Sequence, residues 1–250
     1  MTNNKVALVT GANKGIGHQI AKELAGLGFT VLIGSRSLSN GEEAAKEIGS
    51  DAHALQLDVT DQALIDAAAA RIRSDFGRLD VLVNNAGVSH AGKAGEGFPK
   101  DAMTTNMLTD APMENIRSIW ETNVFGVIAV TQAMLPLLRE APAARIVNMG
   151  STGGSLTWNS APDNAHRAMY GNYSVSKSAA HAVSLAFAFA LEGEGIKVNT
   201  ACPGHTATAL NNFSGARTVE DGARQAVSFA TLGDDGPTGT FADEDGPVAW

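Results

Sequence analysis

The 250-residue sequence predicts an α/β fold in which helices cover both faces of a doubly wound parallel sheet, and three features of its apolar pattern lead there. Short β-branched or aliphatic runs bounded by glycine, asparagine or aspartate recur at 6–9, 30–33, 53–57, 81–83, 145–149 and 197–200, and read as strands. These runs are apolar without alternation, which suits strands buried on both faces. Between them the spacing turns helical: Ile16, Ile20, Leu24 and Leu27 share one face of a first helix, which should pack on the sheet. Strand, helix and strand in succession imply right-handed crossovers, with ligands bound beyond the carboxyl ends of the strands.

The length fits a single domain, 1–250, around one core. Hydrophobic residues make up 44% and charged residues 18%, with 27 glycines spread along the chain, a composition for a compact globule with many tight loops. The stretch 89–112, rich in glycine, threonine and charge, reads as a long loop or short helical excursion, and so does 152–167. Around 233–250 the pattern is that of a loop enclosing a last strand at 240–242.

A formal net charge of -8 with no run of lysine or arginine disfavours nucleic acid and acidic membrane surfaces and favours a small-molecule partner. Cys202 is the only cysteine, so no internal disulfide and no cysteine-based metal cluster can form. A reducing compartment fits. Residues 1–5 are polar and the run 6–9 is too short for a signal-peptide core or a membrane span, so the expected location is cytoplasmic. The histidines, His18, His53, His90, His166, His181 and His205, show no paired ligand spacing, which predicts surface or loop positions and no metal site.

After the first strand comes Thr10-Gly11-Ala12-Asn13-Lys14-Gly15-Ile16-Gly17, running into the first helix. Glycines there let the backbone turn tightly and approach a pyrophosphate, while the free N–H groups and dipole of the helix start attract the anion. The spacing is G-x3-G-x-G rather than G-x-G-x-x-G, but its place after the first strand suits a Rossmann-like dinucleotide site. An acidic residue at the end of the second strand would hold the adenosine ribose of NAD; none occurs between Glu23 and Glu42, and the strand ends Gly34-Ser35-Arg36. Arg36 and Lys14 facing a 2′-phosphate would each make charge-assisted bonds of about 1.5–3 kcal/mol, so NADP(H) is the expected cofactor.

These residues resemble the short-chain dehydrogenase/reductase family, and the match extends over essentially the whole chain. The loop from Thr10 to Gly17 is similar to its cofactor signature. Asp58 and Val59, after Leu57, match the stretch that contacts adenine in the family, and Asn84-Asn85-Ala86-Gly87 resembles its Asn-Asn-Ala-Gly motif. Asn123 matches the catalytic asparagine and Ser151 the catalytic serine; Tyr173-Ser-Val-Ser-Lys177 is the Tyr-x-x-x-Lys signature. Cys202-Pro203-Gly204, with Thr206 following, looks like the turn beside the nicotinamide. Lys14 and the segment from Gly236 to Trp250 are similar to carbonyl reductases. The resemblance departs in one place: Ser151 and Tyr173 are 22 positions apart, longer than is usual, and Ser160 has the shorter separation. Ser151 is favoured because it follows a strand directly.

The resemblance implies an NADPH-dependent reduction of a ketone or aldehyde carbonyl to an alcohol, reversible, with Tyr173 as proton donor. Four residues apart on a helix, Tyr173 and Lys177 share a face, and the ammonium together with the cationic oxidised nicotinamide should lower the phenol's pKa from about 10. Ser151 would hold the substrate oxygen, Lys177 the nicotinamide ribose, and Asn123 a water for proton resupply. Tyr170 reads as a wall of the substrate pocket. Substrate loops are expected at about 88–112, 152–170 and 203–220, with 205–216 as a permissive lid, and copies of the chain are expected to pair through helices around 114–139 and 173–191. A non-catalytic NADP(H)-binding redox sensor would keep the glycine loop but needs none of Asn123, Ser151, Tyr173 and Lys177. A nucleotide-sugar epimerase would carry a different glycine loop, and the G-x-S-x-G pattern of a nucleophile elbow is absent.

Overall fold

The computed structural model describes residues 5–49, 51–90 and 107–250; most of the predicted loop 89–112 lies outside the described residues. The strands are β1 (Val6–Thr10), β2 (Thr30–Ser35), β3 (Ala52–Gln56), β4 (Val81–Asn84), β5 (Arg145–Met149), β6 (Lys197–Ala201), β7 (Phe241–Asp243) and β8 (Gly246–Pro247), in the spatial order β3-β2-β1-β4-β5-β6-β7-β8. Every pairing from β3 to β7 is parallel. The sequence reading missed only the two-residue β8, which turns back antiparallel on β7.

Alternation along each strand sorts the core into two layers. Ala7 and Val9 of β1, Val31 and Ile33 of β2 and Val147 of β5 meet Ile20 and Leu24 of α1 (Gly15–Gly26), Ala44 of α2 (Leu38–Ile48) and Phe229, in the last helix of the fold. Val6 and Leu8, Leu32 and Ile146 point the other way, toward Ile65 and Ile72 of α3 (Gln62–Phe76), Met134 and Leu137 beyond β4, and Leu191. Between β4 and β5 run α4 (Met113–Trp120), a π-helical turn (Glu121–Phe125) and α5 (Gly126–Leu138), which carries Met134 and Leu137. After β5 come α6 (Leu156–Ser160) and α7 (Asn172–Leu191), and α8 (Val219–Ala230) holds Phe229. The expected short helical excursion at 152–167 is therefore a pair of 3-10 turns around α6. One expectation for α1 changes: Leu27 is exposed, because the helix ends at Gly26 and Leu27 lies past its last turn.

The helix starts follow local chemistry. Ser37, Asp61 and Thr218 cap α2, α3 and α8 by accepting from backbone N–H groups of the first turn, and Gly77 ends α3 in the left-handed region at φ 78°. Segments 113–138 and 172–194 are long and apolar enough to cross a bilayer by composition, with 50% and 44% of their windows buried inside the protein. That apolarity covers the sheet face.

A polar ladder crosses this second face where β4, β5 and β6 lie in register. Asn84 Nδ2 donates to Thr131 Oγ1 at 3.0 Å and to Asn148 Oδ1 at 2.8 Å, and Asn148 Nδ2 donates to Ser184 Oγ at 3.0 Å. Thr200 Oγ1 donates onward to Ser184 Oγ at 2.8 Å. All five residues are buried, so the ladder ties α5 and α7 to the sheet at fixed registers, and a lost member strands its neighbours. Asn148→Ala is expected to cost about 1–3 kcal/mol, seen as a lower urea midpoint with an unchanged slope; an unchanged midpoint would mean the ladder contributes nothing.

Candidate active site

The strand order reverses between β1 and β4, and the two loops leaving their carboxyl ends are bound to each other. Thr10 Oγ1 accepts from the N–H groups of Asn85 and Ala86, each at 2.9 Å, and Asn85 Nδ2 donates back to the carbonyls of Thr10 at 2.9 Å and Gly11 at 3.2 Å. Gly11 has φ +63°, and a Cβ there would stand 3.0 Å from the Ala86 Cα. A Cβ on Gly17 would come within 2.6 Å of the Gly11 carbonyl oxygen, so only glycine lets α1 begin this close to the turn.

The predicted cofactor residues lie on loops at this edge of the sheet, on the first turn of α1 and, for Tyr173 and Lys177, on α7. Asn13 and Lys14 lead into α1, where Lys14 is the exposed N-cap, makes no side-chain cap, and is followed by a first turn without acidic residues. Gly15 opens the helix at φ +59° and Ile16 packs against the core. Arg36, just past β2, is exposed, and the Ala12 N–H donates to the Gly34 carbonyl at 3.0 Å, holding the glycine turn against the end of that strand. Beyond β3, Asp58 accepts from the Thr60 N–H at 2.9 Å and hydroxyl at 2.7 Å, and Val59 is buried. After β6, Gly204 turns at φ +66° and buried Thr206 donates to the Pro203 carbonyl at 2.8 Å.

The predicted catalytic residues gather at the neighbouring carboxyl ends of β4 and β5. Asn123 sits in the π-helical turn; its Oδ1 accepts from the Val88 N–H at 2.9 Å, and its Nδ2 donates to the Val88 carbonyl at 2.9 Å and to Ser176 Oγ at 3.0 Å. Ser176 donates to the Tyr173 carbonyl at 2.7 Å. A Cβ on Gly87 would lie 3.4 Å from Asn123 Oδ1 and 3.7 Å from Lys177 Nζ, so the strand-four loop, the π turn and α7 converge there. Lys177 is buried, donates to the Met149 carbonyl at 2.8 Å, and places its ammonium 6.0 Å from the Tyr173 ring centroid. The Ser151 side chain is close enough to the Tyr173 hydroxyl to pull its pKa down. Ser160 instead lies exposed at the end of α6, bonded to the Thr157 carbonyl at 3.1 Å. Tyr170 shares a hydrogen bond of 2.7 Å with Ser178 on the next turns of α7.

The electrostatics of the protein alone bear on one part of the expectation for Tyr173, the neighbouring ammonium. Burial pushes the Tyr173 phenol up to about 12, with the Ser151 hydrogen bond pulling the other way, and burial lowers Lys177 to about 8. In the protein alone, desolvation outweighs the neighbouring ammonium, whose hydrogen bond goes to Met149 and not to the phenol.

Two functional positions escaped the sequence reading. Thr10 clamps the two loops, and its signal was its place directly before the glycine turn. His181 was expected at the surface with the other histidines, but it is buried on α7, where its Nε2 accepts from the Ser151 N–H at 3.3 Å. Its signal was the spacing from Tyr173 and Lys177 along one helix face.

A family profile described as short chain dehydrogenase matches residues 5–218. The chain belongs to the short chain dehydrogenase family. Among relatives in this family, (-)-isopiperitenone reductase from Mentha piperita is 31% identical, with 98% of each chain covered. The structure of salutaridine reductase from Papaver somniferum matches with a TM-score of 0.79 at 28% identity, covering 96% of this chain and 100% of that one. The 3-ketoacyl-(acyl-carrier-protein) reductase of Brucella melitensis, complexed with NADH, matches with a TM-score of 0.76 at 29% identity and 96% of each chain. As a short chain dehydrogenase the chain is an oxidoreductase.

The raised phenol can be measured directly. With tyrosine labelled by 13C at Cζ, the Tyr173 resonance of the protein alone should keep its phenol position up to about pH 10, because burial holds its pKa near 12. Half-titration near pH 8 would show that the ammonium governs the site after all.

Proposed function

We propose that this protein reduces a ketone or aldehyde carbonyl to an alcohol, reversibly, with NADPH as cofactor and Tyr173 as the proton donor. The observation that supports this most strongly is the meeting of Ser151, Tyr173 and Lys177 at the carboxyl edge of the sheet, next to the glycine turn that opens α1.

The residues fit the cofactor. Gly11, Asn13, Lys14, Gly15, Ile16 and Gly17 would hold its pyrophosphate at the start of α1, where a Cβ on Gly15 would meet nothing nearer than Thr208 at 3.7 Å among the described residues. Exposed Lys14 and Arg36 would take a 2′-phosphate. Asp58 and Val59 would border the adenine, while Asn85, Ala86, Gly87, Pro203, Gly204 and Thr206 would border the nicotinamide. When bound, NADPH supplies the hydride. Tyr173 gives its proton to the substrate oxygen as negative charge grows there. Ser151 holds that oxygen; its Oγ accepts from the Gly153 N–H at 3.1 Å, which leaves its own hydrogen free to donate. Lys177 stabilises the phenolate left behind and binds the ribose hydroxyls, and Asn123 resupplies the proton through a water beside Lys177.

A bulky or aromatic substrate suits the lid at 205–216, where Phe213 is 68% exposed at φ 57°. The outward Phe125 and Phe189, 50% and 70% exposed on the helical stretches around 114–139 and 173–191, support a dimer or tetramer of this chain. The setting is cytoplasmic.

Tyr173→Phe should lower turnover at least about 100-fold on a panel of aldehydes, ketones and quinones while NADPH affinity stays within about twofold. NADPH bound by wild type but consumed with no carbonyl on the panel would overturn the reading and leave a cofactor sensor in its place. Arg36→Asp should weaken NADPH about 10- to 100-fold and leave NADH nearly unchanged, as read by fluorescence titration; equal losses would remove the basis for NADP preference.

A further inference from the structure

We infer that His181 is a positioning residue that holds Ser151 in its working place beside Tyr173, an inference that rests on the reductase reading for its kinetic consequence but not for its geometry. Ser151 stands in a glycine-rich segment, Gly150-Ser151-Thr152-Gly153-Gly154, whose backbone has unusual freedom. Its carbonyl accepts from the Gly154 N–H at 2.9 Å and its Oγ from the Gly153 N–H at 3.1 Å, both bonds within the turn itself. Its N–H donates to His181 Nε2 at 3.3 Å, which ties the backbone of Ser151 to α7.

The imidazole is itself fixed. It lies on the face of α7 that carries Tyr173 and Lys177, one turn beyond the lysine, with its ring centroid 4.4 Å from Phe241 and 5.8 Å from Trp250. The turn closes tightly over it: a Cβ on Gly150 would stand 2.8 Å from His181 Nε2, and one on Gly154 would stand 2.8 Å from its Cε1. Tyr173, Lys177 and the anchor of Ser151 thus share one rigid helix, so the proton donor and the hydroxyl beside it move together.

The choice of histidine is not explained by packing. Because Nε2 accepts, the ring proton sits on Nδ1, which is buried without a hydrogen-bond partner among the described residues. Phenylalanine would join Phe241 and Trp250 without that cost. Burial and the charge of Lys177 hold the imidazole down to about 3, so the ring stays neutral and able to accept at any pH where the protein works.

The test compares His181→Phe, which removes the acceptor, with His181→Gln, whose side-chain carbonyl restores one. By NMR hydrogen exchange, the Ser151 amide should lose at least about tenfold of its protection in His181→Phe and keep it in His181→Gln, whether or not the protein turns over a carbonyl. In kinetics, His181→Phe should lower kcat about tenfold with NADPH affinity and melting temperature unchanged or higher, and His181→Gln should recover most of it. Placed in a Ser151→Ala background, His181→Phe should have no further effect, since it acts through that serine. Unchanged Ser151 protection in His181→Phe, or a kcat loss that simply adds to that of Ser151→Ala, would overturn the inference. A wild type inactive on every carbonyl would instead sink the reductase reading, with the exchange result still deciding whether His181 holds Ser151.

Discussion

A buried ammonium without a buried carboxylate is the constraint around which this site is arranged. Lys177 has no ion pair among the described residues, and its answer is the carbonyl of Met149, the last residue of β5. Removing a charge from water is costly unless it is hydrogen-bonded, so this bond fixes α7 against one end of a central strand. The approach is close enough that Gly154 must be glycine, since a Cβ there would lie 2.8 Å from the Lys177 Cβ. Ser178 secures the same contact by donating to the Gly154 carbonyl at 2.7 Å. With α7 so placed, Tyr173 and Ser151 are brought together as a consequence of where the lysine must go.

The glycine turn is a second fixed point, and the sheet relates the two. Thr10 and Asn85 bind the ends of β1 and β4, and the Asn84, Asn148 and Thr200 ladder carries that register across to β5 and β6. Polar residues at these strand ends look like a weakness in an apolar core. They are paired throughout, so they specify register where apolar side chains would tolerate a slip.

Much of this was legible because it is local. Each strand but β8 was found within a residue or two, since an apolar run between turn residues has few other readings, and the glycine turn and the Tyr173–Lys177 spacing are short-range patterns. What the sequence hid depends on contacts between distant segments. The burial of His181 follows from the packing of Phe241 and Trp250 against α7, neither of which is near it in sequence. Likewise, the inserted stretch around α6 read as a long loop or short helical excursion without visible partners, yet the Thr157 N–H donates to the Trp250 carbonyl at 2.8 Å and Trp158 stacks on His166 at 5.6 Å. The phenol's desolvation was hidden for the same reason: charge proximity can be read from a spacing of four, whereas desolvation is a property of the whole surrounding fold.

That burial bears on what the site favours. An alcohol oxygen that has just received a hydride is far more basic than a phenolate, so on the proposed reading a phenol raised by burial would still give up its proton downhill. The reverse reaction needs the phenolate, which burial resists. Lys177, lowered to about 8, remains largely protonated at neutral pH and can receive the phenolate's charge at the moment it forms. On the proposed reading, a neutral donor kept protonated, a hydroxyl with its hydrogen free and a cation one turn away would suit the reduction of a carbonyl. Oxidation would require the phenol's acidity to be raised by a cation bound in the cleft, which is the charge an oxidised nicotinamide carries. On the proposed reading, the acidity of Tyr173 would therefore follow the charge of the bound cofactor, through the desolvation of one tyrosine.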